Sequence, residues 1–227
     1  MLKKNCIACL LSISLAVTAL FTGGTAYAAE TSAAAQSGTL SDGKNKYSAY
    51  SALYAAAETP DNTVAIPGGK DFTAADGAEA AAGSYGGRDG GRDGVLIWKS
   101  KGGSVTWRLE VPSDGKYSVR LTYFSLDADA QDIELGLLLD GKTPFFEASQ
   151  LVLPKCFHSE TEITKDKNGN DIRPKQIPYD EWITEPLGDH TGVSDKPYSF
   201  YLTGGAHTLT LTGALAGIAI EKIELYN

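Results

Sequence analysis

Apolar side chains fall on every second position through two consecutive runs of this chain: Val105, Trp107, Leu109 and Val111 in the first, then Tyr117, Val119, Leu121 and Tyr123 in the second. A period of two places such residues on one face of a β-strand. Between the runs stands Pro112-Ser113-Asp114-Gly115, with the Pro and Gly punctuation of a turn. The spacing predicts an antiparallel pair of strands with one buried face.

The same alternation recurs along the chain. Val95-Leu96-Ile97-Trp98 reads as a strand, and so does Ile133 to Leu139, which runs into the tight turn Asp140-Gly141. Later, Tyr198, Phe200 and Leu202 form a run, and Thr203-Gly204-Gly205-Ala206 turns into His207 to Leu211. The last strand, Ile218 to Tyr226, slips phase between Ile220 and Ile223, which predicts a β-bulge. Tyr47 to Ala57 fits a short helix by its alanines and a first strand by its spaced tyrosines. Between Leu151 and Lys196 the alternation breaks, and Asn168-Gly169 predicts a protruding hairpin over Ile163 to Arg173. Many short strands, frequent turns and no long helix predict an all-β fold, an antiparallel β-sandwich with a polar loop and hairpin insertion.

The N-terminus follows a different pattern. Lys3 and Lys4 precede an apolar run from Cys6 to about Phe21, and Ala26-Tyr27-Ala28 supplies small residues for cleavage. Residues 1–28 read as a secretory signal peptide and 29–46 as a flexible Ala/Ser/Thr/Gly/Lys leader, leaving 47–227 as one β-sandwich domain. The expected localisation is therefore extracellular, and no later segment is long and apolar enough to span a membrane. Two of the three cysteines leave with the signal peptide, so Cys156 has no disulfide partner within the chain. The formal charge is −8, and losing Lys3 and Lys4 takes it to −10. Such a surface argues against nucleic acid and anionic membranes and favours neutral ligands.

Several chemistries are excluded by spacing. Gly87 to Gly94 is not a phosphate cradle, because a strand and not a helix follows it. Asp166, Asn168 and Asn170 lack the position-six glycine and position-twelve Glu of a calcium loop. Asp180, Glu181, Glu185 and Asp189 cluster around Trp182, but in an acidic chain such clusters arise without a catalytic reason. Asp189-His190 has no accompanying nucleophile motif. Cys156 and His158 lack an orienting third group. These features predict a protein that is not an enzyme.

Gly102 to Trp107, Val111-Pro112, Gly115-Lys116-Tyr117, Asp140-Gly141, Trp182, Gly205 to Leu209 and the closing Ile218 to Leu225 together resemble carbohydrate-binding modules of families 6 and 35. The chain is also similar to the N-terminal module of large extracellular solute-binding proteins of Gram-positive bacteria, through Tyr198 to Tyr201 and the Leu225-Tyr226-Asn227 ending. The resemblance implies a galactose-binding-domain-like jelly roll and a secreted, non-catalytic module for a neutral oligo- or polysaccharide. It places the sugar between two aromatics, Trp98 and Trp182, with Asp180 and His190 as polar groups, whereas Trp107 belongs to the core. It also implies a structural calcium ion held by Glu58 and Glu221, and a transporter or cell-surface partner. The chain departs from the pattern at Leu215-Ala216-Gly217, where the relatives carry a sugar-binding Asn. That departure supports the alternative of a structural or protein-interaction sandwich, such as a truncated N-terminal module of a sugar-transporter solute-binding protein.

Overall fold

The alternating runs build two antiparallel sheets that face each other across one core. In the computed structural model, which describes residues 43–87, 90–126, 131–213, 215 and 217–227, the larger sheet contains β1 (Val64–Pro67), β3 (Ala80–Tyr85), β4 (Arg92–Trp98), β6 (Gly115–Ser125), β13 (Ile183–Pro186), β14 (Ser199–Leu202) and β16 (Ile218–Tyr226). β6 and β16 lie at its centre, β13 and β14 share the far edge of β6, and β4 and β1 share the far edge of β16. The smaller sheet runs β2 (Phe72–Ala75), β5 (Ser104–Val111), β15 (Gly205–Thr212), β7 (Ile133–Leu139), β8 (Leu151–Leu153). The described residues all fall in one unit, 39–227. The expected signal peptide and most of the expected leader lie outside them. The fold nevertheless begins before Tyr47, since the Gly43 N–H donates to the Thr143 carbonyl at 3.0 Å and the Phe146 N–H to that of Asn45 at 2.7 Å.

The expected pairing of 104–111 with 115–125 is not what forms. β5 lies between β2 and β15 in the smaller sheet, and β6 between β16 and β13/β14 in the larger one. Pro112 to Gly115 is therefore a corner between layers, not a hairpin turn. Both strands still bury the faces their periodicity marks: Trp107 and Val105 point at the core from one sheet, Tyr117, Leu121 and Tyr123 from the other, and all are at most 1% exposed. Alternation specifies a face, and a strand facing the core from either sheet satisfies it equally. The Thr203–Ala206 segment is the second such corner, carrying the chain from β14 in one sheet to β15 in the other.

Residues 47–53 resolve as helix α1 (Tyr47–Leu53), which places Tyr47 and Tyr50 against β14. Their hydroxyl oxygens accept the N–H groups of Ser199 (3.0 Å) and Tyr201 (2.8 Å), so the helix satisfies an otherwise open sheet edge. The bulge in β16 sits as expected: Ile220 pairs with Tyr123 and Lys222 with Thr122, leaving Glu221 as the extra residue. Asp140 and Gly141 both take positive φ (50° and 72°), as a two-residue Asp-Gly turn requires. The insertion forms an arm of β9 (Phe157–Ser159) with β12 (Gln176–Pro178) and, beyond them, β10 (Thr164–Lys165) with β11 (Asp171–Ile172), the expected hairpin. Among the described residues no helix is long and apolar enough to cross a membrane.

Candidate functional site

The larger sheet has apolar residues on both faces at one end, and the candidate site lies there. In β4, Leu96 and Trp98 turn inward while Val95 and Ile97 turn outward; in β6, Phe124 turns outward after the inward Tyr123. Val95, Phe124, Trp182 and Ala219 form a second cluster on the outer face, with Tyr85, Ile97 and Leu126 half-buried at its margin. Trp182, which leads into β13, meets Phe124 edge-on at 5.6 Å, and Tyr85 packs on Phe124 at 5.0 Å. The Arg92 guanidinium lies 4.8 Å above the Trp182 ring centre, within cation–π range, and is bonded to the Glu221 carboxylate. The bulge is the local cause: the extra residue in β16 lets Glu221 and Lys222 both face outward before alternation resumes with Ile223 inward. Gly87 brings the neighbouring loop so near that a Cβ there would lie 2.6 Å from the Phe124 ring and 2.8 Å from the Asp180 carbonyl oxygen.

The same face becomes more polar further along the strands. Thr122 and Thr184 share a hydrogen bond of 2.8 Å, and Arg120 bonds Glu224 at 2.9 Å while lying 4.6 Å over the Tyr226 ring. Burial works to raise the Glu224 carboxyl, but hydrogen bonds from Arg120 and Lys222 outweigh it and hold the group below the ordinary carboxylate range.

The residues singled out from the sequence separate into three places. Trp182 and Asp180 are on the outer face, Asp180 exposed and Trp182 9% exposed. Trp98 is not a sugar platform: its ring is enclosed between the sheets at 0% exposure. Its N–H donates to Ser100 Oγ (3.1 Å) and the Gly102 carbonyl (3.3 Å). The reason is phase, since Trp98 falls on the inward positions of β4. Trp107 is a core residue as expected, with its N–H on the Gly68 carbonyl at 2.9 Å.

His190 lies elsewhere, exposed at a cleft of about 370 Å³ between the edges of β8 and β13, where Asp132, Glu185, Asp189, Asp195 and Lys196 also stand. Asp189 is committed to its own loop. Its carboxylate accepts the Thr191 hydroxyl (2.7 Å) and the N–H groups of Thr191, Val193 and Ser194, and the hydroxyl contact leads in pulling its pKa down to about 2. A carboxylate so engaged is a loop organiser, not the orienting partner of His190.

Glu58 and Glu221 are not brought together. Glu58 is exposed beside β6, where its carbonyl accepts the Lys116 N–H, at the end of β16 where Asn227 bonds Pro60. Glu221 is six residues back along β16, roughly 15 to 20 Å away at the usual strand rise. Calcium takes six to eight oxygens, and the Glu221 carboxylate already faces a guanidinium. This pair does not fit the ion, and among the described residues no group of three or more His, Cys, Asp or Glu side chains is gathered for a metal.

Sequence reading missed Arg92, Tyr85 and Phe124. The signal for Phe124 was present: Tyr123-Phe124, like Val95 to Trp98, is a run of consecutive apolar residues, which in a strand means that both faces are covered.

No protein-family model matches the chain, and no curated protein does. Solved structures similar to it include a family 35 carbohydrate-binding module from Paenibacillus barcinonensis, 10% identical, with a TM-score of 0.42 over 72% of this chain and 98% of that one. A Podospora anserina β-(1,4)-mannanase carrying a family 35 module is 12% identical, with a TM-score of 0.45; 73% of this chain matches, and it spans 28% of the mannanase. The C-terminal family 6 module of a Zobellia galactanivorans laminarinase is 13% identical, with a TM-score of 0.41 over 73% of this chain and 100% of that one.

Proposed function

We propose that this chain is a secreted, non-catalytic carbohydrate-binding module that takes a neutral glycan on the outer face of its larger sheet, around Tyr85, Arg92, Asp180 and Trp182. One observation carries the reading. Among buried side-chain nitrogens and oxygens of the described residues, Trp182 Nε1 is the atom without a hydrogen-bond partner, whereas Trp98 and Trp107 both donate theirs. An orphaned buried N–H costs about 1 to 3 kcal/mol, and a sugar hydroxyl is a natural acceptor for it. The half-buried Tyr85 ring offers an apolar surface for pyranose C–H groups, Arg92 pairs with Tyr85 across β3 and β4, and the exposed Asp180, two residues before Trp182, is a further partner for hydroxyls. An overall charge of −8 disfavours polyanionic glycans.

Tryptophan fluorescence titration against a panel of neutral polysaccharides tests this directly, because Trp98 and Trp107 are enclosed and Trp182 is the responsive ring. A spectral shift in the native chain that disappears in Trp182→Phe is the expected result; silence across the panel defeats the reading. The competing reading, a protein-contact domain, is favoured by the arm, where Ile163 and Ile172 are 65% and 49% exposed on a hairpin whose strands pair only with each other.

A further inference from the structure

We propose that Arg92 is a releasable cover on the Trp182 ring, latched by Glu221, and that opening this latch sets how much of the ring a ligand can reach. Its bearing on glycan binding rests on the reading of the outer face given above; the latch itself does not. Five features of the structure converge on it.

Glu221 reaches this face because it is the inserted residue of the β16 bulge, which re-aims its side chain while β16 stays paired with β6 on either side. The guanidinium it holds covers the indole at 4.8 Å. Both partners of the pair are about one-third exposed, 33% and 32%, so water and salt reach the contact and can replace it. The neighbouring pair on the same face differs, since Glu224 is only 10% exposed and receives Lys222 as well as Arg120. The ring beneath stays anchored when Arg92 leaves, because Phe124 holds it edge-on and Val95 and Ala219 pack in the same cluster. Finally, the Nε1–H that the closed arrangement leaves without an acceptor is the group that an opened face could offer to a ligand oxygen. A cover that leaves its own indole unsatisfied gains less from staying closed than one that satisfies it.

Quenching of tryptophan emission by acrylamide, a neutral probe, reads the cover in the whole chain without any glycan. Glu221→Gln is expected to raise the quenching constant roughly two-fold, in keeping with the small equilibrium weight of a part-exposed ion pair. Arg92→Ala raises it at least as far, and Arg92→Lys falls between, since an ammonium keeps the charge but not the planar stack. Raising salt to ~1 M, where the screening length falls to about 3 Å, does the same to the unmodified chain. The latch is overturned if Glu221→Gln and high salt both leave quenching at its starting value, and the cover itself is overturned if Arg92→Ala does. Should a variant unfold, shown by emission matching the denatured chain, the salt series on the unmodified protein decides. Parallel glycan titrations separate the two readings: quenching that responds without any glycan binding leaves the latch standing and removes the sugar, and the reverse outcome removes the latch.

Discussion

Asp114 accepts the backbone N–H of Gly204 through Oδ1 at 2.7 Å, and this one contact joins the two corners at which the chain passes between the sheets. The first corner is pinned again by the Tyr117 hydroxyl, which donates to the Ser113 carbonyl at 2.8 Å. A carboxylate on a backbone N–H is among the stronger hydrogen bonds a corner can have. Asp114→Ala is expected to lower stability by about 1 to 2 kcal/mol in urea unfolding, and Asp114→Asn by less because its amide oxygen can still accept. An unchanged midpoint in both would show that the corners hold without each other.

How far the sequence revealed this arrangement depends on what alternation encodes. Val105 to Val111 and Tyr117 to Tyr123 showed their buried faces, and Ile220 to Ile223 showed its bulge, because these are local consequences of backbone period. Which strand lies beside which was not legible. A corner and a hairpin use the same Pro, Asp and Gly, and the choice is made by partners such as β15 and β16 about a hundred residues away. The candidate site divides along the same line. Trp98 and Trp182 are chemically alike in a sequence, and only the phase of β4 relative to the core separates the enclosed ring from the outward one. Arg92 and Glu221 are 129 positions apart and meet only because β16 pairs beside β4.

His207 bridges two acceptors, Asp140 through Nδ1 at 2.7 Å and the Thr203 carbonyl through Nε2 at 2.8 Å. Both contacts are hydrogen bonds only when both ring nitrogens carry protons, so the geometry selects the imidazolium. Burial works to lower the His207 pKa, but the hydrogen bonds to Asp140 and Thr203 and the charges of Asp140 and Glu110 outweigh it and raise the group above its ordinary value of 6.5. Asp140 is the mirror case: burial works to raise it, and bonds from Thr208 and His207 bring it below 3.8. A raised histidine stabilises fully below pH 6.5 and loses that contribution as pH climbs through its folded value. A lowered aspartate stabilises above pH 3.8 and loses it as pH falls through its own. The pair therefore contributes most between about pH 4 and 6.5. The melting midpoint of His207→Gln should fall furthest below that of the native chain in this window, and the gap should close above neutrality; a gap independent of pH would contradict the ion pair.

Gly68 runs so close to the bulge that a Cβ there would lie 2.0 Å from the Ile220 carbonyl oxygen, and its own carbonyl accepts the Trp107 indole N–H. Backbone cannot yield as a flexible side chain would. Gly68→Ala is expected to destabilise by about 2 to 3 kcal/mol in thermal or urea unfolding. Gly141→Ala, where the added Cβ meets nothing within 4 Å, strains only a turn at φ 72° and costs about 1 kcal/mol. Equal losses in the two variants would show that the bulge has room to move.

Because Glu58 and Glu221 stand at different points along β16 and Glu221 is matched by Arg92, chelation should not loosen the strands they belong to. The melting midpoint with EDTA is expected to equal that with added calcium. A calcium-dependent rise of several degrees would place an ion between groups other than this pair.

The three tryptophans offer the sharpest separation of core from site, since two have every polar need met by the protein and one does not. Trp98→Phe removes indole area from a fully packed position and takes one donor from Ser100 Oγ and the Gly102 carbonyl, which keep the Glu79 N–H and the Ser100 hydroxyl as partners. It should cost about 1 to 3 kcal/mol. Trp182→Phe removes a similar ring from a cluster that retains Phe124 and Val95, but it also removes a buried N–H that has no partner. The loss of packing and the relief of that donor oppose each other, so the net cost should be below about 1 kcal/mol. The two variants should then behave oppositely toward ligand: Trp98→Phe, once refolded, keeps the glycan response, and Trp182→Phe abolishes it while melting close to the native chain. If Trp182→Phe instead melts far below Trp98→Phe, the outer cluster is a second core that the fold depends on, and a binding surface has to be sought elsewhere on the sandwich.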